Sequence, residues 1–248
     1  MNNVEIQIMA DWEKDYWWHR GKMYLINTLI LNYFPNRKDL EILEIGCGAG
    51  EITKELLKYG SVVGVDLSEK AAEVCLSRGL PSILIGDINE IDLSQLGGKF
   101  DLVLALDVLE HIQDDTETMR RVRALLQDDG LFIVNVPAHK FLWSEHDEAL
   151  FHKRRYHSFE LTQKLKDSGF EIVKKSFYVC TASPAMAFYR IWGNLFGKSA
   201  YAKTSYVKLP HFLNELMVNI LKLEAKIAAK WSLPFGVTLT VVAKPSYK

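Results

Sequence analysis

Between Asp39 and Val136, short apolar runs alternate with helical patterns, and this alternation limits the chain more than any other feature. LEILEIG (40–46), SVVGVDL (61–67), SILIGDI (82–88), FDLVLAL (100–106) and GLFIVNV (130–136) read as five strands. The stretches EITKELLKYG (51–60), SEKAAEVCLSRG (68–79) and DDTETMRRVRALLQDDG (114–130) carry helical spacing and closing glycines. Strands that are apolar on both faces and separated by helices need a parallel sheet covered on each side. The expected fold is doubly wound α/β. Downstream, Ser158 can cap a helix running to Ser168, Gly169 ends it, and FEIVKKSFYV (170–179) and VTLTVVA (237–243) read as the sixth and last strands. Upstream, residues 5–34 carry an amphipathic helical stretch with an aromatic cluster of Trp12, Tyr16, Trp17 and Trp18. The chain is expected to be one unit, 1–248: a helical cap (1–38), a sheet core (39–179 and 233–248) and a helical insertion (180–232).

With 48% hydrophobic and 25% charged residues in 248, the chain can bury a large core, which excludes disordered and fibrous classes. Cys47, Cys75 and Cys180 show no C-x-x-C spacing, so neither a disulfide framework nor a structural zinc site is expected. The first residues lack a basic start followed by an apolar run, and the reading is a cytoplasmic protein. Cutting the chain after Ala138 separates opposite charges. The first part holds 13 basic and 23 acidic residues, a net of −10; the second holds 17 and 8, a net of +9. An acidic part suits a cationic ligand; a basic part suits an anionic substrate, a membrane surface or nucleic acid; two solvated surfaces of unequal sign are the plain alternative. The insertion opens with SFYVCTASPAMAFY, uncharged until Arg190 but shorter than the about 20 residues that span a bilayer. It continues as a helix with Phe212, Leu216, Ile220, Leu223 and Ile227 on one face and Lys222, Lys226 and Lys230 opposite. Such a helix serves as a substrate lid, as an interfacial helix touching the inner face of the membrane, or as core packing.

The strongest chemical signal is Glu44-Ile45-Gly46-Cys47-Gly48-Ala49-Gly50, where the first strand turns into the first helix of the alternating region. Its G-x-G-x-G spacing has Glu51 where the dinucleotide fingerprint needs glycine, and it lacks the Gly-Lys-Ser/Thr ending of a phosphate loop. With Glu44 beside it and no basic residue, the loop suits a positively charged nucleoside better than a pyrophosphate. Asp66 ends the second strand, where a carboxylate can accept both ribose hydroxyls. The third ends in Gly86-Asp87-Ile88, a carboxylate and an apolar side chain suited to an adenine amino group and ring face.

These motifs resemble those of the class I S-adenosylmethionine-dependent methyltransferases: ILEIGCGAG the first, VVGVDLS the second, GDI the third and FDLVLALDVLEHI the fourth. RVRALLQDDGLFIVNVP resembles the helix and strand that follow. The resemblance implies a Rossmann-like sheet of seven mostly parallel strands, with N-terminal helices and a helical insertion between the last two strands. It implies S-adenosylmethionine as cofactor and S-adenosylhomocysteine as product. Gly46, Cys47, Gly48 and Gly50 would line the methionine end with Glu44, and Asp66 and Leu67 the ribose. Asp87 and Ile88 would flank adenine, and Leu106 and Asp107 would close the pocket. Arg20 would reach the methionine carboxylate, with Tyr16 or Trp17 over the sulfonium. WSEHDEALFHKRRY (143–156), YWWHRGK and PFGVTLTVVAK further resemble a bacterial methyltransferase subgroup associated with surface-glycan or lipid-linked sugar genes.

Methyl transfer requires the acceptor in line with the S–CH3 bond and water excluded; a hydroxyl acceptor also needs a base. His111 follows the fourth strand, and His139, His146, His152 and His157 follow the fifth. His146, His152 and His111 are the base candidates, and Asp147, Arg154, Arg155 and Tyr156 the candidates for holding an anionic acceptor. His139 and His157 read as surface or capping residues. Asp107-x-x-Glu110-His111 resembles the acidic-histidine motif of ubiquinone-type O-methyltransferases, in which a divalent ion assists the acceptor. The plain reading, a helix cap without metal, is the expectation adopted. The expected function is methyl transfer to an O or N acceptor that is small or lipid- or glycan-linked. A nucleic-acid methyltransferase is the alternative, although no Asn/Asp-Pro-Pro-Tyr follows the fourth strand. A non-catalytic S-adenosylmethionine-binding regulator is another.

Overall fold

The structure is a computed structural model that describes Trp12 and residues 14–80, 82–196 and 209–246. Its seven-stranded sheet has the order β3-β2-β1-β4-β5-β7-β6. β1 (Leu40–Ile45), β2 (Gly60–Asp66), β3 (Ile83–Ile85), β4 (Phe100–Leu106) and β5 (Leu126–Pro137) run parallel. β7 (Thr238–Pro245) is antiparallel to both its neighbours, β5 and β6 (Phe170–Tyr178). The described helices are α1 (Trp17–Tyr33), α2 (Glu51–Leu56), α3 (Glu69–Ser77), α4 (Asp115–Leu125), α5 (Glu145–Ala149), α6 (Ser158–Asp167), α7 (Ser183–Phe196) and α8 (His211–Lys230).

The central strands are apolar throughout because successive side chains enter two different cores. Leu102, Leu104 and Leu106 of β4, with Leu131 and Ile133 of β5, join the core that α1 and α8 cover. Val103 and Ala105, with Phe132 and Val134, join the opposite core, with Met119 and Val122 of α4 and Leu161 and Leu165 of α6. The chain leaves β1 toward β2 and β3, then returns to lay β4 on the other side of β1. Beyond the carboxyl ends of β1 and β4 the order reverses, and a crevice opens there.

Several expected boundaries move. The helix expected over 114–130 stops at Leu125, because Leu126 already pairs with Phe100 and opens β5. The third strand, expected over 82–88, keeps only Ile83–Ile85. His157, not Ser158, occupies the N-cap of α6. Of the helical stretch expected over 5–34, residues 5–11 and 13 lie outside the described residues.

The insertion differs most from its periodicity. α8 buries Val218, Leu221, Ala225 and Ala228, while Phe212, Leu216 and Leu223 of the expected apolar face are exposed. The cause is close packing on α1: a Cβ at Gly21 would lie 2.2 Å from Leu221 Cδ1. The Tyr178 hydroxyl ties this crossing, donating within 2.8 Å of the Gly21 carbonyl and 3.0 Å of that of Leu221. No described helix is long and apolar enough to cross a membrane.

Candidate active site

A cavity of about 1000 Å³ occupies the crevice. Its first half is built from strand ends. Glu44, Gly46, Cys47, Gly48, Asp66, Leu67, Asp87, Ile88, Leu106 and Asp107 all line it. Gly46 (φ 71) and Gly48 (φ 54) take the left-handed conformations that side chains resist, and a Cβ on Gly46 would come 2.6 Å from Val108 Cγ2. Asp66 holds this loop: Gly48 N–H donates to its Oδ2 (2.8 Å) and Ser68 N–H to its Oδ1 (2.9 Å). Each carboxylate oxygen keeps a further lone pair for a ligand. Glu44 is buried and accepts the Thr53 hydroxyl at 2.5 Å. Asp87 accepts Asn89 N–H at 2.8 Å.

Two expected members fall outside this half. Gly50 does not line the cavity: it is the left-handed N-cap of α2, and its missing Cβ makes room for Leu80 and Cys75. Arg20 pairs with Glu215 of α8 on the outer side of α1. The helical repeat carries Lys22, two residues on, to the cavity instead, where its ammonium donates to Asp107 Oδ2 at 2.8 Å. Asp107 also accepts Asn135 Nδ2 (3.3 Å) and holds a left-handed backbone (φ 55), a strained conformation for a side-chain-bearing residue.

The second half brings together histidines from two segments. His111, His146 and His152 line it, with the His152 ring 4.7 Å from His111 and 6.4 Å from His146. Burial lowers the His111 pKa to about 4, aided by His152, and that of His146 to about 3, aided by Arg190. Both rings are therefore neutral near pH 7. His139 stacks on Phe177 and Phe235 away from the cavity.

Asp147 lies beneath this cluster and does not line the cavity. It is fully buried, with Oδ1 2.8 Å from His152 Nδ1 and 2.7 Å from Arg155 Nε, and Oδ2 3.3 Å from an Arg190 amino nitrogen. Burial pushes its carboxyl up, but the His152 bond and the charges of Arg155 and Arg190 outweigh that and hold it below the usual carboxylate range. Because Asp147 can only accept, His152 Nδ1 is the donor of this pair, and Nε2 is the ring atom turned toward Glu110, 4.0 Å from its Oε1. Asp147 thus orients His152, not its neighbour His146. Arg155 and Arg190 both reach the cavity wall around this one carboxylate. Burial and the Arg155 charge bring the Arg190 pKa down to about 10.

Arg154 and Tyr156 are not at the cavity. Arg154 bonds the Gln113 carbonyl (2.8 Å) and Asp115 (3.0 Å), and the fully buried Tyr156 donates to Asp115 Oδ2 at 2.7 Å. An alternating segment sends Arg155 inward and its two neighbours toward α4. Trp18, Lys22, Met186, Tyr189 and Arg190 are lining residues that sequence reasoning missed. The phase of α1 carried a signal for Lys22; α7 offered none, since its place over the cavity depends on the route from β6 to β7.

The methyltransferase-domain family matches residues 17–175, which take in the strand-end half of the cavity and its three histidines. The chain belongs to that family. Curated relatives include the ubiquinone biosynthesis O-methyltransferases of Coxiella burnetii (strain Dugway 5J108-111), 29% identical over 140 residues, and Pseudomonas aeruginosa (strain LESB58), 31% identical over 144. Each match covers 52% of this chain and only 60% and 62% of the respective relative. Among solved structures, an S-adenosylmethionine-dependent methyltransferase from Clostridium acetobutylicum superposes with a TM-score of 0.59 at 16% identity, covering 97% of this chain and 98% of that one. An N-methyltransferase from Bradyrhizobium japonicum WM9 in complex with S-adenosyl-L-homocysteine gives 0.53 at 17% identity, over 66% and 80%. At these identities the solved structures bear on the fold. The family match covers β1–β5 and most of β6, whereas α7, α8 and β7 lie beyond it.

Proposed function

We propose that this methyltransferase-family chain binds S-adenosylmethionine in the strand-end half of the cavity. It transfers the methyl group in line to an oxygen or nitrogen of a small or lipid- or glycan-linked acceptor. One observation carries the reading: Glu44, Asp66 and Asp87, carboxylates at the ends of three successive strands, open into the same cavity as His111, His146 and His152. A cofactor held by the first group presents its sulfonium toward the second. In this reading Asp66 accepts the ribose hydroxyls and Asp87 with Ile88 frames adenine. Gly46, Cys47 and Gly48 pass close to the methionine, with Lys22 in the place expected of Arg20. The acceptor lone pair forms the new bond to carbon as the S–CH3 electrons return to sulfur, leaving S-adenosylhomocysteine. The proton of a hydroxyl acceptor passes to a neutral imidazole of the cluster.

Arg155 and Arg190, with one carboxylate between them, favour an acceptor bearing an anionic group. α7 lines the cavity with Met186, Tyr189 and Arg190, while its Phe188, Ile191 and Trp192 are exposed. That aromatic face beside the cavity, with the lysines of α8, supports docking on the inner face of a membrane and a lipid-linked acceptor. The whole chain, 1–248, is read as one unit in which described residues of 1–38 and of 180–232 line the cavity; residues 1–11, 13 and 197–208 lie outside the described residues.

Titration calorimetry with S-adenosylmethionine, S-adenosylhomocysteine and NAD tests the cofactor. Binding of the first two without NAD is the expected outcome, and NAD binding or no binding overturns the reading. Labelled methyl donor offered to lipid, glycan, small-molecule and nucleic-acid pools tests the acceptor. Label in nucleic acid alone, or in no pool, favours the other two functions set out from the sequence.

A further inference from the structure

We propose that Glu110, His111 and His152 form a binding site for one divalent transition-metal ion at the acceptor end of the cavity. This rests on the reading above only in placing the acceptor there. One donor atom from each of the three residues lies within 4.8 Å of the other two, and all three residues line the cavity. The ligand set differs from what the Asp107-x-x-Glu110-His111 spacing implies. Asp107 is taken by Lys22 and Asn135, and the third ligand comes from the segment after β5.

Three observations point to a cation. Glu110 is 1% exposed, and neither of its carboxyl oxygens finds a hydrogen-bond partner among the described residues. A carboxylate buried without a partner is costly, and an ion between it and the imidazoles removes that cost. The His152 imidazole, moreover, has the outer partner usual for metal-bound histidine. Its Nδ1 lies 2.8 Å from Asp147 Oδ1, which leaves Nε2 as the ring atom available to an ion. His152 Nε2 lies 4.0 Å from Glu110 Oε1. Metal–ligand bonds of about 2.0–2.2 Å bridge such a gap after a small inward movement of the side chains.

Two imidazole nitrogens and one carboxylate oxygen favour Zn²⁺, Co²⁺ or Fe²⁺ over Mg²⁺ or Ca²⁺, which prefer all-oxygen shells. Three protein ligands leave a coordination position open to the cavity, where the ion supplies a Lewis acid to the acceptor. His146 then remains as the imidazole of the cluster that can take a proton.

The test is titration of the chelator-treated full chain with Co²⁺ and Zn²⁺, by calorimetry and by visible absorption of Co²⁺. S-adenosylhomocysteine affinity in the same samples reports whether each variant is folded. Expected is one ion per chain, bound more tightly than Mg²⁺, with Co²⁺ bands in the visible. His152→Ala and Glu110→Gln should each weaken the ion at least 100-fold at unchanged S-adenosylhomocysteine affinity, and His157→Ala should leave both unchanged. Absence of stoichiometric binding in a chain that binds S-adenosylhomocysteine overturns the metal site and leaves the cofactor reading standing. Equal affinities in wild type and both ligand variants, or a loss equal to theirs in His157→Ala, also overturn it. Loss of S-adenosylhomocysteine binding by the wild-type chain would instead strike the functional reading.

Discussion

A carboxylate near the cavity does one of two jobs, and the residues bonded to it say which. Asp66 keeps lone pairs toward the crevice while fixing the glycine loop through Gly48 N–H. Asp66→Ala should therefore weaken S-adenosylhomocysteine binding by at least about 1.5 kcal/mol, measured by calorimetry, since bonds to a charged acceptor are lost. Asp115, 2% exposed, is bonded instead to Tyr156, Lys164 and Arg154. Burial pushes its carboxyl up, but the Lys164 and Tyr156 bonds and the nearby positive charges prevail, holding it below the ordinary carboxylate value of 3.8. Its contribution to stability is thus complete above that value and disappears as pH falls through the lower folded value. Asp115→Asn should cost about 2–3 kcal/mol near pH 7 in urea unfolding, and the gap to wild type should narrow below about pH 4. The sequence placed Asp66 at the crevice by its strand-end position, because that placement follows from the alternation of strands and helices. It offered no way to separate Arg155 from Arg154 or Tyr156. Neighbours in an irregular segment point in directions set by distant partners, here Asp147 and Asp115.

Elements were legible where periodicity meets a long buried surface. β4 is buried at every position, and FDLVLAL marks it end to end. The apolar face of α8 named from the sequence is not the one it buries, because the buried face is set by the approach to α1, and the residue that permits this approach, Gly21, belongs to the other helix. Gly21→Ala should cost about 1–3 kcal/mol by overpacking against Leu221, read as a lower urea midpoint at unchanged slope. The exposed faces of α7 and α8 make a separate prediction. Phe188→Glu combined with Phe212→Glu should reduce cosedimentation with phosphatidylglycerol vesicles at least tenfold, with S-adenosylhomocysteine affinity retained; equal cosedimentation would remove the membrane from the proposed function.

Across the whole molecule the two oppositely charged parts of the sequence meet at the cavity. The acidic part, 1–138, contributes β1–β5 and the carboxylates of the crevice, and the basic part contributes Arg155 and Arg190. Charge counting along the chain separated the two parts and left ligands of opposite sign, or simply two solvated surfaces, as alternatives. It could not foresee that one cavity joins them, because that depends on β7 entering between β5 and β6. This antiparallel strand returns the α7–α8 excursion to the sheet next to β5, far from β1 and β2 in the strand order. The excursion is therefore joined by backbone pairing only to the β5–β6 side of the sheet, and it meets β1 through the core that α8 shares with α1. The α7 wall and the strand-end crevice thus come from separate stretches of chain, so a change in α7 can alter what the cavity admits without touching the loop that Asp66 holds.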